Sequence, residues 1–220
     1  MSDLGRSGDQ IAHVRVPASM TTIDELLEES GRTFADEAGI TLQEEPAPLY
    51  RLLVLSVLLS SRVQAQLGTR ACRELVDSGF GSPAKMRDAE RSAVHDALTR
   101  AKFLSKDQTT DALQQGAELV ADRWGGDLRR MREAADGDLD TLQELLTEVP
   151  RLGPVGASIF VREVQAVWPE FRPHLDGKAL AAAEALGLPH DAGELADRVA
   201  GDDLARLAAA LVRTDVRAES

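Results

Sequence analysis

The sequence predicts an all-α protein. Apolar residues recur at helical spacing through stretches rich in Ala and Leu, with few β-branched runs. The chain is 43% hydrophobic but only 4% aromatic, so aliphatic side chains must fill its core. The periodic stretches open on Thr, Ser or Pro and close on Gly or Pro, as helices do. With 220 residues, the chain allows one large domain or two small ones on a shared scaffold.

Residues 1–20 mix Ser, Gly, Asp and Arg without period and read as a mobile arm. "TTIDELLEESGRTFADEAG" reads as a helix with a Thr cap and acidic first turns, which suit the helix dipole. "APLYRLLVLSVLLSSRVQAQLGTRACRELVDSG" is apolar almost all round at its start and predicts a helix buried in a bundle. "SPAKMRDAERSAVHDALTRA" predicts two short helices, the first opened by Ser82 and Pro83. "SKDQTTDALQQGAELVADRWGG" predicts an amphipathic helix closed by Gly125 and Gly126. "DLDTLQELLTEVP" ends at Pro150, and a further helix is expected over about 157–167. "WPEFRPHLD" is irregular, and two Ala-rich stretches complete roughly ten helices. Trp124 and Trp168 are expected as core anchors.

Composition excludes several classes. No stretch is apolar enough to span a membrane, and the N-terminus lacks the apolar core of a signal peptide. Cys72 is the single cysteine, so disulfides and clustered-cysteine metal sites are excluded. These features predict a cytoplasmic protein, nucleoid-associated if the cell is bacterial. The net charge of -12 argues against a generic nucleic-acid binder. The charge is uneven, however: residues 1–50 hold ten Asp/Glu against three Lys/Arg, and residues 62–106 hold nine Lys/Arg against five Asp/Glu. One positive face and a uniformly solvated acidic surface are both compatible with that.

The stretch "VPRLGPVGASIFVREV" (149–164) packs two glycines and two prolines into seven residues before an apolar helix. Helix, tight Gly/Pro corner and helix together make a helix-hairpin-helix. Such a corner exposes backbone N–H groups at the positive end of the second helix, which suits a DNA phosphate without reading sequence. The same residues also describe an ordinary helix connection with a glycine turn.

Four segments in order add to this reading. "LLVLSVLLSSRVQAQLGTRA" (52–71) has an apolar run, then Leu-Leu-Ser, then a polar loop. "AKFLSKDQTTDAL" (101–113) has an aromatic and a lysine at a helix start. "LLTEVPRLGPVGASI" (145–159) holds the corner, and "RPHLDGKALAAAEALGL" (172–188) holds an aspartate before a helix. Together they resemble the endonuclease III branch of the helix-hairpin-helix DNA glycosylase superfamily. The resemblance implies a two-part fold with a cleft between the parts. A six-helix barrel is expected over 48–135, a discontinuous helical domain over 21–47 and 136–220, and the helix-hairpin-helix at about 141–167. Enzymes of this kind flip a damaged base into the cleft.

The resemblance assigns roles residue by residue. Asp176 falls at the catalytic aspartate, which stabilises charge on the sugar or activates the nucleophile; Asp before a helix is also an N-cap. Val155 falls where bifunctional members carry a Schiff-base lysine, so a lyase reaction through this position is excluded. Arg151 replaces the first glycine of the hairpin pattern. It must avoid the left-handed backbone region that glycine allows or bear its strain, and it could contact phosphate directly. Gly153, Gly156 and the backbone of Val155 between them are expected at phosphate, around a monovalent cation as in relatives. Arg62 falls at the residue that fills the gap left by the flipped base, and a helix-end arginine facing water is the alternative. Gln64 joins that DNA-contacting set but has no acidic counterpart of the family's aspartate beside it. Lys178 reads as a phosphate or surface contact, and His174 as a cleft-lining residue.

The four thiolates of the family's iron–sulfur cluster are absent from the C-terminal region, so no cluster is expected. The expected partner is double-stranded DNA with a damaged or mismatched base, bound by a monomer. The expected function is that of a monofunctional DNA N-glycosylase. A non-catalytic DNA-binding relative and a protein-interaction module on the same scaffold are the alternatives.

Overall fold

The computed structural model describes residues 22–61 and 63–218. The expected arm over 1–20 and Arg62 lie outside the described residues. Among those described, every regular element is helical.

The N-terminal stretch forms two helices, α1 (Ile23–Ser30) and α2 (Phe34–Glu37), rather than one. Thr22 and Thr33 each cap one, their hydroxyls accepting from the backbone N–H groups of Glu25 and Asp36. Two caps eleven residues apart nucleate two starts. The next stretch also divides, into α3 (Pro46–Leu59) and α4 (Ala65–Asp77). Ser60 and Ser61 turn their hydroxyls back onto the carbonyl of Val57, and this competition with helical pairing ends α3. In α3, Leu49, Tyr50 and every residue from Leu52 to Leu58 is buried, as an all-round apolar helix requires. Each buried leucine there contributes about 2 kcal/mol.

α5 (Pro83–Arg87) and α6 (Arg91–Arg100) follow, with Ser82 capping the first. α7 (Lys106–Trp124) ends on Gly125 in the left-handed region. α8 (Arg129–Ala135) leads to α9 (Leu139–Thr147) and α10 (Pro154–Val164). α10 starts three residues before its expected position because Pro154 is already pre-set for the first helical turn. α11 (Gly177–Ala185), α12 (Ala192–Ala196) and α13 (Leu204–Ala218) complete the chain, with short 3-10 turns at Pro169–Phe171 and Gly201–Asp203.

Two hydrophobic cores result. The larger runs from α2 through α10 around α3. Trp168 is fully buried there, with Phe160 edge-on at 5.8 Å, and Trp124 is buried in the same core. The smaller joins α1, α11, α12 and α13 through residues such as Leu26, Ala183, Leu195 and Leu207. Val212 packs against both. α10 therefore lies where the cores meet, touching α3, α9 and α13.

Two glycines let the α9–α10 corner sit close to its neighbours. A Cβ on Gly116 of α7 would stand 3.2 Å from Val149, and one on Gly156 would stand 2.6 Å from Leu152 Cδ1 and 3.1 Å from Ser60 Cβ. Leu152 is 1% exposed and has little room to yield. Overpacking of this kind costs about 1–3 kcal/mol, more than the roughly 1 kcal/mol that Ala gains over Gly inside a helix. Gly156→Ala should therefore lower the urea midpoint. Gly153→Ala, where nothing lies within 4 Å of a new Cβ, should leave the midpoint unchanged within error.

Candidate nucleic-acid interface

The corner between α9 and α10 is pinned from inside. Val149 and Leu152 are buried, and the Leu152 N–H donates to the Val149 carbonyl at 2.9 Å. Arg151 and Gly153 consequently face outward. Arg151 occupies the left-handed region, at φ 64°, rather than avoiding it. Two contacts hold it there. The Ser60 hydroxyl, whose one hydrogen is shared with the nearer Val57 carbonyl at 2.8 Å, reaches the Arg151 carbonyl at 3.3 Å, and Arg151 Nη1 donates to Gln108 Oε1 in α7 at 2.7 Å. Its guanidinium has no acidic partner among the described residues.

Gly153 is the N-cap of α10, at φ −70°. The backbone N–H groups of Gly153 and Val155 find no acceptor among the described residues, and Pro154 has none to offer. Val155 is 67% exposed and brings no nucleophile. Gly156 is buried and serves close packing, as above. Gln64 is exposed at the N-cap of α4, four residues beyond Ser60 in the loop that touches the corner. Arg151, Gly153 and Val155 share one edge with the end of α3 and the start of α7.

Asp176 is held against α10 from the start of α11. It caps α11, its Oδ1 accepting from the Ala179 N–H at 2.9 Å. Its Oδ2 accepts from Arg162 Nη1 at 2.8 Å. Arg162 is buried, its side chain 4% exposed, and its guanidinium lies over the Phe34 ring at 5.2 Å. Lys178, two residues further on, is exposed.

Sequence reasoning missed the face of α10 that organises this region. Ser158 and Arg162 on α10 and its C-cap Gln165 stand four and three residues apart among mostly apolar neighbours, a helical spacing visible in "GASIFVREVQ". They meet the extended segment before α11 in register. Ser158 Oγ and His174 Nε2 are 2.8 Å apart. Gln165 donates to the His174 carbonyl at 2.8 Å and accepts from the His174 N–H at 3.0 Å. Arg172 closes the C-terminal end of α10, donating to the carbonyls of Gln165 and Ala166.

No protein-family model matches the chain, and no curated protein matches it. Among solved structures, it is similar to an endonuclease III trapped as a covalent intermediate with DNA, in an estranged-adenine complex. The two share a fold. At 14% identity the likeness covers 86% of this chain and 81% of that one, with a TM-score of 0.50. The endonuclease III-like fold is thus reached with little of the sequence in common.

Burial sets the charge states in the interior. His174 titrates below its ordinary value, mainly because burial disfavours the imidazolium; the Asp176 carboxylate opposes this and the Arg162 guanidinium adds to it. Glu163, next to Arg162, is fully buried and titrates above its ordinary value for the same reason, against the pull of Arg162. It accepts from the Ala35 N–H at 2.9 Å, which ties α2 to α10. A surface groove of about 620 Å³ beside α8 is not part of this edge, and its Arg129 and Arg132 are already paired with Asp127 and Glu170.

The His174 shift predicts a stability change. Above the ordinary histidine value of 6.5, folded and unfolded states are both neutral there and stability is full. As pH falls below 6.5, the unfolded chain takes up the proton first and stability drops, until pH reaches the lower folded value. Raised Glu163 acts in the opposite direction, adding stability as pH falls through its raised folded value towards 4.5, so the comparison must be between variants. His174→Gln should flatten the fall just below pH 6.5, read by urea denaturation at steps from pH 7.5 to 5.5.

Proposed function

We propose that the chain is a DNA-binding protein of base-excision repair, a monofunctional N-glycosylase that acts on a damaged or mismatched base flipped out of the duplex. One observation carries the reading: α10 brings both halves of such a site together, one at its own N-terminus and one held on it from α11. Its N-terminus offers the N–H groups of Gly153 and Val155, unpartnered among the described residues, beside the exposed Arg151, a combination suited to a phosphate oxygen. Two turns further on, Arg162 fixes Asp176. The endonuclease III-like fold supports the same reading at the level of the scaffold.

In this proposal the hairpin and Lys178 hold the backbone, while Gln64 lies near the gap left by the flipped base. Asp176 stabilises the positive charge that develops on the sugar as the glycosidic bond breaks. Val155 offers no amine, so water is the nucleophile and no Schiff base forms through this position. A single cysteine, Cys72, buried in α4, cannot supply four thiolates, so the residues present do not fit a cysteine-ligated iron–sulfur cluster. A monovalent cation at the hairpin would share the carbonyls of Val149, Arg151 and Gly153, each of which already accepts one hydrogen bond. No helix among the described residues is long and apolar enough to cross a membrane.

A second reading, a non-catalytic DNA binder, has one observation in its favour. Both oxygens of Asp176 are already engaged, one by Ala179 and one by Arg162. The carboxylate is thereby a structural cap whatever else it does.

The two readings separate on Asp176→Asn. The amide still accepts the cap bond but leaves buried Arg162 less compensated, so some loss of thermal stability is expected. Well below the melting temperature, binding to lesion-containing duplex should be kept. Single-turnover base excision, read as alkali-labile sites across a panel of lesions, should fall about 100-fold or more. Excision at the parental rate would make Asp176 a cap alone.

The grip on DNA has its own test. Arg151→Glu should weaken binding about equally for all sequences and lower the dependence of log K on log salt by roughly one phosphate contact. Unchanged binding by fluorescence anisotropy would remove Arg151 from the interface.

A further inference from the structure

The glycosylase reading leaves one role unfilled. Water attacking the sugar must lose a proton, and Asp176 is poorly placed to take it. Its Oδ1 is held by the Ala179 N–H and its Oδ2 by the buried Arg162 guanidinium. A carboxylate so engaged serves as a fixed negative charge better than as a base.

The geometry points to His174, hydrogen-bonded to Ser158, as the proton acceptor for the attacking water. This rests on the glycosylase reading and names the base within it. His174 and Asp176 stand two apart in an extended segment and project to the same face of α10, where Ser158 and Arg162 stand one turn apart to receive them. The Gln165 amide holds the His174 backbone through both of its groups, so the ring is carried on a fixed mount. Nε2 is engaged with Ser158 Oγ at 2.8 Å, and Nδ1 has no hydrogen-bond partner among the described residues. With hydrogen on Nε2, Ser158 accepts and the Nδ1 lone pair is available. Ser158 lies one turn along α10 from exposed Val155, so the pair stands beside the position that offers no amine.

The step balances without any cofactor. The C1′–N bond of the flipped nucleotide breaks and its electron pair leaves with the base. The water oxygen bonds to C1′, and its proton passes to His174 Nδ1. The departing base takes a proton from solvent, and His174 returns its own to solvent, so the net change is addition of one water. The charged groups facing the imidazole are Asp176 on its own segment and Arg162 on α10, which act in opposite directions. Burial keeps the ring neutral at neutral pH, as a base must be.

The test is single-turnover excision from pH 4.5 to 8.5 by the full chain, using a duplex whose lesion the parent excises. The parent rate should rise with pH along a limb whose midpoint lies below 6.5, then level off. His174→Gln keeps a hydrogen-bonding group for Ser158 but cannot take the proton. It should lower the rate at pH 7.5 by about 100-fold and abolish the limb, with DNA affinity unchanged. Ser158→Ala should lower the rate less and displace the limb. Parental rate and pH profile in His174→Gln, with Asp176→Asn inactive, would overturn the His174 assignment and leave the glycosylase reading standing. If His174→Gln does not fold, an unaltered rate and limb in Ser158→Ala overturns it instead. A parent that excises no lesion overturns the glycosylase reading and the assignment together.

Discussion

A guanidinium buried in the middle of a helix needs a negative partner, and Arg162 takes its nearer one from another element, with the neighbouring Glu163 farther off at 3.7 Å. Leaving such a charge unpaired would cost about 3–5 kcal/mol. That penalty is what makes the position of Asp176 obligatory rather than convenient. The carboxylate must lie at 2.8 Å from Nη1, which places the start of α11 and the extended residues before it. Gln165 adds both hydrogen bonds to the His174 backbone and so fixes the same segment a second time. On its other side Arg162 stacks on Phe34 at the start of α2, and neighbouring Glu163 accepts from Ala35. Arg213 of α13 also lies over Phe34, at 4.3 Å. Two distant parts of the chain, the segment that opens α11 and the start of α2, are thus tied to two turns of α10 by polar contacts, and α13 joins them through Phe34, at the boundary between the two cores.

The hairpin shows the same trade of local strain for position. A non-glycine residue in the left-handed region costs about 1–3 kcal/mol. Arg151 bears this because its carbonyl and its guanidinium are both held, by Ser60 and Gln108. Glycine would reach the same backbone without strain but would leave nothing on the rim. Arginine leaves a positive charge, steadied by a neutral amide and so not cancelled, next to the free N–H groups of Gly153 and Val155.

The sequence shows the fold more readily than the site. Buried α3 follows from an apolar run with no polar stripe, and the start of α5 and the Gly125 stop of α7 follow from local residues. Local chemistry is all that such signals need. The breaks at Gly31 and at Ser60 are harder, because periodicity continues across them and only the caps and hydroxyl bonds divide the helices. Asp176 is legible as a helix start from "LDGKAL", and the structure gives it that bond. Its pairing with Arg162 is not legible. In "FVREVQ" an arginine beside a glutamate reads as a solvated helix face, and what buries both is a phenylalanine and an alanine more than 120 residues earlier in the chain. His174 is likewise opaque alone and acquires meaning only through Ser158.

A helix is the suitable carrier for these groups because its geometry is rigid. From Gly153 to Arg162 is nine residues, about 13 Å along the axis at 1.5 Å per residue. That spacing between the N–H groups at the rim and the guanidinium that holds Asp176 cannot drift, as it would across a loop. Both ends of α10 are also fixed. Gly156 seats the first turn against Ser60, and Arg172 closes the last turn on the carbonyls of Gln165 and Ala166. Movement of α10 relative to α3 would break the Ser60 bond to Arg151 at one end, and movement relative to α11 would strip Arg162 of its carboxylate further along. The rim and the interior site therefore move together or not at all. Under the proposed function, that is the mechanical link by which a grip on a backbone would set where a sugar comes to rest.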